Sequence, residues 1–282
     1  MRILVSYVHR PYTTAIYYER AFERLGHLVC RTGLEMDHVA LAWKPDLFVW
    51  IEAGGALHPA VLPTGMPTVA YYIDSHTQRG WHIEDARRYD HVFVSDSRYV
   101  GEYGPNAHWL PMACDPDLHT PTRTEPPEYD VAFVGNLYPG SPLYEDRRRT
   151  LAELAKRYRC NFQSGVYFTD MANVYASAKV VFNKSVMGDL NMRVFEAMCS
   201  GRPLVTDRVE GLQQLFGTYP ADEPRRCVSY NGTEDLIGKL DALLTDRILW
   251  LGDYIGATGR AEVLAHHTYA HRAAQILAEV GP

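Results

Sequence analysis

The chain has 282 residues, 46% of them hydrophobic and 22% charged, which is enough apolar material for more than one compact core. A formal net charge of −6 excludes a generally basic nucleic-acid binder and leaves only a local patch open. No run approaches the roughly 18 uninterrupted apolar residues of a membrane span, and the five cysteines (Cys30, Cys114, Cys160, Cys199, Cys227) lie at neither metal-ligand nor redox spacing.

The opening MRILVSYVHR runs directly into a strand pattern without signal-peptide architecture, so a cytoplasmic protein with cysteines as small core residues is expected. Strand-length apolar runs then alternate with helical periodicity, the signature of parallel sheets covered by helices. The first half predicts strands at Arg2 to Val8, His27 to Arg31, Asp46 to Ile51, Thr68 to Ile73, His91 to Ser95 and His108 to Pro111. Between the first two, Tyr18, Ala21, Phe22 and Leu25 share one helical face, with Thr13 or Thr14 to cap it and Gly26 to end it.

The stretch PDLHTPTRTEPPEY, proline-rich between Pro116 and Pro127, suits an extended connector. Residues 1–118 are therefore expected to form one Rossmann-like domain, 119–128 a linker and 129–282 a second domain, with the last helices packing back toward the first. The second half predicts strands at Asp130 to Val134, Asn161 to Ser164, Lys179 to Phe182, Pro203 to Thr206 and Cys227 to Tyr230, and helices from Thr233 onward. The basic run at Arg147, Arg148 and Arg149, continuing to Lys156, Arg157 and Arg159, shares its segment with Leu151, Leu154, Ala155 and Tyr158 at helical spacing. It reads as the wet face of an amphipathic helix. Two doubly wound domains facing across a cleft bind ligands at strand C-termini.

Candidate residues accordingly follow strands. Gly135 and Asn136 close the first strand of the second domain, where a glycine lets backbone approach a ligand. In VVFNKSVMGDLNMRVFEAMCSGRPLVTD, Asn191 caps a short helix whose core side holds Met192, Phe195, Met198 and Cys199. Arg193 then stands in the first turn, where the helix dipole disfavours a cation unless an anion is near. Arg193, Lys184 and free helix N–H groups together suit a diphosphate. Glu196, one turn deeper, either accepts ribose hydroxyls or pairs with Arg193. In the first domain Asp74 and His76 leave the fourth strand and are candidate general bases, while His9, Arg10 and Tyr12 follow the first strand on the acceptor side. Asp115 and Asp117 form an Asp-x-Asp in the proline-rich junction, the wrong setting for a metal site. His266, His267 and His271 read as helix packing.

The string NMRVFEAMCSGRPLVTD resembles the nucleotide-sugar-binding helix of GT-B glycosyltransferases in their CgeB-like (spore-maturation type) branch. LPMACDPDLHTP, DVAFVGNLY and HTYAHRAAQIL resemble further segments of that family, in the same order. The resemblance implies a donor site in the second domain, with Arg193 near the diphosphate and Glu196 on the ribose. It implies no catalytic metal and no cofactor, the nucleotide-sugar being a substrate, with a UDP-sugar expected before a GDP-sugar. Many retaining members carry a second glutamate seven residues earlier. Here that position is Gly188, with Asp189 beside it, so the stereochemical course does not carry over. The expected function is sugar transfer to a hydroxyl on a small molecule, glycan, peptide or modified nucleobase. A nucleotide-sugar epimerase and a non-catalytic sugar-nucleotide-binding protein are the alternatives.

Overall fold

Strands β3 (Leu47–Ile51) and β4 (Thr68–Tyr72) are buried at every position, which only a sheet covered on both faces allows. In the computed structural model, which describes residues 1–35, 40, 42–216, 226–245 and 249–281, such strands form two wholly parallel sheets. The chain divides into two compact units, Met1–Met112 with Tyr269–Pro282, and Ala113–Thr268.

The first unit carries β1 (Arg2–Ser6), β2 (Leu28–Thr32), β3, β4, β5 (His91–Val94) and β6 (Ala107–Trp109), in the order β2-β1-β3-β4-β5-β6. Helix α1 (Ala15–Arg24) follows β1 and buries Tyr17, Tyr18, Ala21 and Phe22. Leu25, expected on that face, is 39% exposed because the helix stops one residue earlier, and Gly26 turns the chain with φ +84°. Helix α2 (Ser75–Ala86) follows β4. On one side of the sheet Trp50 packs edge-on against Tyr72 at 5.2 Å and stacks on Tyr89 at 6.0 Å, an aromatic core of the kind that dominates burial energy.

The second unit carries β7 (Tyr129–Val134), β8 (Cys160–Gln163), β9 (Ala178–Asn183), β10 (Leu204–Asp207) and β11 (Val228–Tyr230), in the order β11-β10-β9-β7-β8. Its helices are α3 (Pro116–His119), α4 (Glu145–Ala155), α5 (Phe168–Ala176), α6 (Met192–Cys199), α7 (Glu210–Phe216), α8 (Thr233–Leu244) and α9 (Leu249–His266). Phe133, Val180, Phe182, Val205, Leu236 and Leu240 share its core. Helix α9 touches backbone directly. A Cβ on Gly256 would stand 2.2 Å from the Gly201 carbonyl oxygen, and one on Gly259 would stand 2.3 Å from that of Arg226. Only glycine permits this approach.

The boundaries of the two units shift from those expected. The stretch expected as a linker lies within the second unit, where the N–H groups of Thr122 and Arg123 both donate to Asn173 Oδ1 at 2.9 Å. Of the C-terminal helices, α10 (Tyr269–Val280) alone belongs to the first unit. There Tyr269 stacks on Tyr17 at 4.7 Å, and the Arg272 guanidinium donates to the Pro111 and Met112 carbonyls. Among the described residues no helix is long and apolar enough to cross a membrane.

Candidate active site

In each sheet the strand order reverses once, between β1 and β3 in the first unit and between β7 and β9 in the second. Crevices outside the strand C-termini at such points are where doubly wound sheets bind ligands.

At the second switch point β7 is followed by buried Gly135. A Cβ there would come within 2.8 Å of Phe133 Cζ and 3.2 Å of Arg193 Nε, so the residue must be glycine for Arg193 to pass. The Arg193 Nε donates to the Val134 carbonyl at 3.0 Å, which fixes the guanidinium beside the end of β7. Arg193 and Glu196 make no ion pair, so of the two sequence readings the intrahelical pair is the one the geometry removes.

Arg147 corrects the expectation of a wholly solvated basic face on α4. It is 4% exposed, and its guanidinium donates to the Lys184 carbonyl at 3.1 and 2.5 Å and to the Asn136 carbonyl at 3.0 Å. One side chain thus staples the loop after β7 to the loop after β9. Burial, with the Arg193 charge adding to it, pulls the Arg147 pKa down to about 10. The Lys184 ammonium lies 2.8 Å from Asp146 Oδ2 and holds that carboxyl below its usual range. Arg148 is half-buried and donates to the carbonyls of Leu137, Tyr138 and Ser141, whereas Arg149 is exposed and pairs with Asp146.

Helix α6 starts beside this cation group. Asn191 occupies the N-cap position, but its side chain makes no capping hydrogen bond, and both amide atoms are buried without a partner. Leaving such groups unsatisfied costs about 1–3 kcal/mol each. Met192 and Arg193 are half-buried in the first turn, and the Asn136 amide N–H donates to the Tyr138 hydroxyl. Glu196 is 2% exposed, and burial, opposed by Arg193, raises its carboxyl to about 7. Its Oε1 lies 3.6 Å from Nε2 of His119, another fully buried group, whose pKa burial lowers to about 4. Because the Asp115 N–H donates to His119 Nδ1, the neutral imidazole carries its proton on Nε2, toward Glu196. Asp189 Oδ1 accepts the Val186 N–H in the tight turn at Gly188, where φ is +76°.

At the first unit's switch point His9 and Tyr12 are exposed and Arg10 is half-buried. The Arg10 guanidinium donates to the Tyr12 hydroxyl at 3.3 Å, and Arg31 contacts His9 Nδ1 at the same distance. Asp74 takes the N-cap position of α2 through its carbonyl, which accepts from the N–H groups of Thr77 and Gln78. Its carboxylate Oδ2 lies 3.6 Å from where a Cβ of Gly54 would stand. His76 is half-buried, with Nδ1 shielded and without a partner.

The sequence reading missed Glu52, His82, Tyr103, Arg147 and His119. A carboxylate closing the run FVWIE at the end of β3 was the visible signal for Glu52, whereas the others are brought into contact by the fold alone. Asp115 is a cap, its side chain accepting from the Asp117 N–H. His267 packs against Phe195 and Phe216. The Cys114 thiol donates to the His267 carbonyl at 3.6 Å, and Cys30, Cys114, Cys160, Cys199 and Cys227 are free. Among the described residues no group of three or more His, Cys, Asp or Glu side chains is arranged to hold a metal ion.

A search of curated proteins gives no match. Among solved structures, sucrose-phosphate synthase from Thermosynechococcus elongatus is 13% identical over 98% of this chain and 97% of its own, with a TM-score of 0.65. Anabaena HepE in complex with UDP and glucose is 12% identical over 98% of each chain, with a TM-score of 0.64. An alpha-glucosyltransferase in complex with UDP and a 13-mer DNA containing a HMU base is 12% identical over 99% of each, with a TM-score of 0.68. These likenesses, with the two parallel α/β units, give the GT-B fold of two Rossmann-like domains. The profile of the Glycosyl transferase-like family matches residues 117–278, more than half of the chain, and the chain belongs to that family of enzymes that transfer sugar from nucleotide-sugar donors.

Proposed function

We propose that the donor is a UDP-sugar whose diphosphate lies against the N-terminus of α6, and that the acceptor is a hydroxyl-bearing molecule. The observation that carries this reading is the buried, unpartnered Asn191 amide standing two residues before Arg193 at the β7/β9 switch point. A sugar diphosphate offers acceptor oxygens to the orphan Asn191 N–H groups and to the cation in a first helical turn, and its hydroxyls offer donors to Asn191 Oδ1.

In the reaction the bond from the sugar's anomeric carbon to the β-phosphate oxygen breaks, and a bond to the acceptor oxygen forms. Negative charge develops on the departing diphosphate. Arg193, Lys184 and the α6 N–H groups face it as preorganised donors, with Gly135, Asn136 and Met192 forming the nearby wall. The same cations support a metal-independent enzyme. Glu196 is the candidate ribose partner, and its raised pKa supports a role as either donor or acceptor toward the ribose hydroxyls. Asp74 or His76 is the candidate base for the acceptor hydroxyl, with His9, Arg10 and Tyr12 on the acceptor side. The four sequence segments support membership of the CgeB-like branch, a cytoplasmic location agrees with the sequence reading, and the DNA-bound relative keeps a modified nucleobase among the acceptors to be screened.

Isothermal calorimetry with UDP and GDP tests the donor site. Micromolar UDP binding that weakens at least tenfold in Arg193→Ala is expected, with a melting temperature in the absence of nucleotide lowered only by the loss of the hydrogen bond to the Val134 carbonyl. Equal UDP affinity in the variant would place the diphosphate elsewhere.

A further inference from the structure

The first unit holds a buried polar chain that the reading above does not use. Glu52 directly follows β3 and has no exposed surface. Its Oε2 accepts the N–H groups of Ile73 at 2.7 Å and Asp74 at 3.1 Å, the two amides where the chain leaves β4. Its Oε1 lies 3.2 Å from Nε2 of His82, equally buried on α2, a close contact off the line of a hydrogen bond that leaves both atoms without a hydrogen-bond partner. His82 Nδ1 meets the Tyr103 hydroxyl at 2.9 Å, and that hydroxyl meets Ser75 Oγ at 2.7 Å. Ser75 is the residue after Asp74, so the chain returns to its starting point.

The direction of this chain follows from the inventory of donors. Glu52 accepts two backbone N–H groups and has only acceptor oxygens to turn toward His82, so the imidazole proton is assigned to Nε2, the nitrogen that faces it. Nδ1 then accepts from Tyr103, which in turn accepts from Ser75. The Ser75–Tyr103 and Tyr103–His82 links each have one donor and one acceptor, while the Glu52–His82 link is a close polar contact. A carboxylate buried beside an aromatic core is expensive, and two apolar residues would fill the space at lower cost. What the pair supplies is position: Asp74 is held by its own N–H on one side and through Ser75 on the other, and its carboxylate lies over Gly54, which has positive φ.

We infer that Glu52 and His82 are positioning residues that hold Asp74 as the base for the acceptor, and that Asp74 rather than His76 takes the proton. This rests on the reading that the base stands at the end of β4. The step is the removal of the acceptor O–H proton by the Asp74 carboxylate as the acceptor oxygen bonds to the anomeric carbon and the diphosphate leaves.

Water is the simplest acceptor, so the probe is UDP release from UDP-glucose in steady state, with circular dichroism to verify folding. Asp74→Asn is expected to lower kcat about 10²-fold or more at unchanged KM, and by at least about tenfold more than His76→Ala does. Glu52→Gln turns a donor toward His82 Nε2, and His82→Leu removes the link. Each is expected to lower kcat by about tenfold to 10²-fold, as misplacement of a reacting group does, and to lower it no further in the Asp74→Asn background. His82→Gln, which keeps a side-chain donor, is expected to restore most of the rate. If Glu52→Gln does not fold, the two His82 variants carry the same comparison. Loss of rate that multiplies in the double variants, or none in the single ones while Asp74→Asn is slow, would overturn the inference alone. An unimpaired Asp74→Asn, or a wild type that releases no UDP, would overturn the underlying reading together with it.

Discussion

Replacing Arg147 by Met removes the staple between the loops after β7 and β9 while keeping most of the aliphatic volume. Two opposing quantities decide the effect. The fall of the Arg147 pKa from 12.5 to about 10 means that its charge is disfavoured in place by about 3 kcal/mol. Against this stand three hydrogen bonds from a charged donor, to the carbonyls of Lys184 and Asn136, at about 1.5–3 kcal/mol each. The hydrogen bonds win, and with both carbonyls left unsatisfied the net loss is about 3 kcal/mol. Urea unfolding of the second unit's signal should show a midpoint shift at constant m-value, with a melting temperature lower by roughly 6–12 °C. Arg147→Lys should fall between, since one ammonium keeps the charge but lacks the fork that reaches both carbonyls. UDP affinity should drop along with stability because Arg193 and Lys184 border the loops that are released. An unchanged urea midpoint in Arg147→Met would refute the argument, because it would mean that the buried charge costs as much as its hydrogen bonds return.

The Glu196–His119 pair predicts a pH dependence. Burial raises the Glu196 carboxyl from 4.5 to about 7, so the folded state holds that proton more tightly and stability falls as pH rises through this window. His119, lowered from 6.5 to about 4, acts oppositely, adding stability as pH rises from about 4 to 6.5. Glu196→Gln removes the first contribution. The stability of the variant minus that of the wild type should therefore climb by about 3 kcal/mol between pH 4.5 and 7 in urea titrations. A constant difference would show that Glu196 titrates normally. In α9, Gly256→Ala should lower the melting temperature in calorimetry despite Ala's better helix propensity of about 1 kcal/mol, because its Cβ meets the Gly201 carbonyl at 2.2 Å. A higher melting temperature would show that the helix does not sit against that backbone.

The fold class and most element positions are legible in the sequence because they depend on local periodicity. The runs ILVS, LFVWI, TVAYY and VVFN are apolar at consecutive positions, which parallel strands buried on both faces require. Gly26 and Gly201 mark helix ends through their positive φ, a property of a single residue. The loops bearing Asp74, Gly135 and Lys184 were placed correctly after strands by the same reasoning. Periodicity could not say which residues from distant segments would meet. It gave Arg147 to the solvent, because a cation on a polar helix face looks alike whether it meets water or two carbonyls beyond the helix. It left Glu52 and His82 as unrelated residues. Strand order in each sheet decides these meetings, and it also sets the two switch points at which the candidate residues gather. Strand order is settled by long-range pairing and burial, in which every apolar strand is an equally good partner by local pattern. That choice, and with it the chemistry of the site, belongs to the tertiary structure.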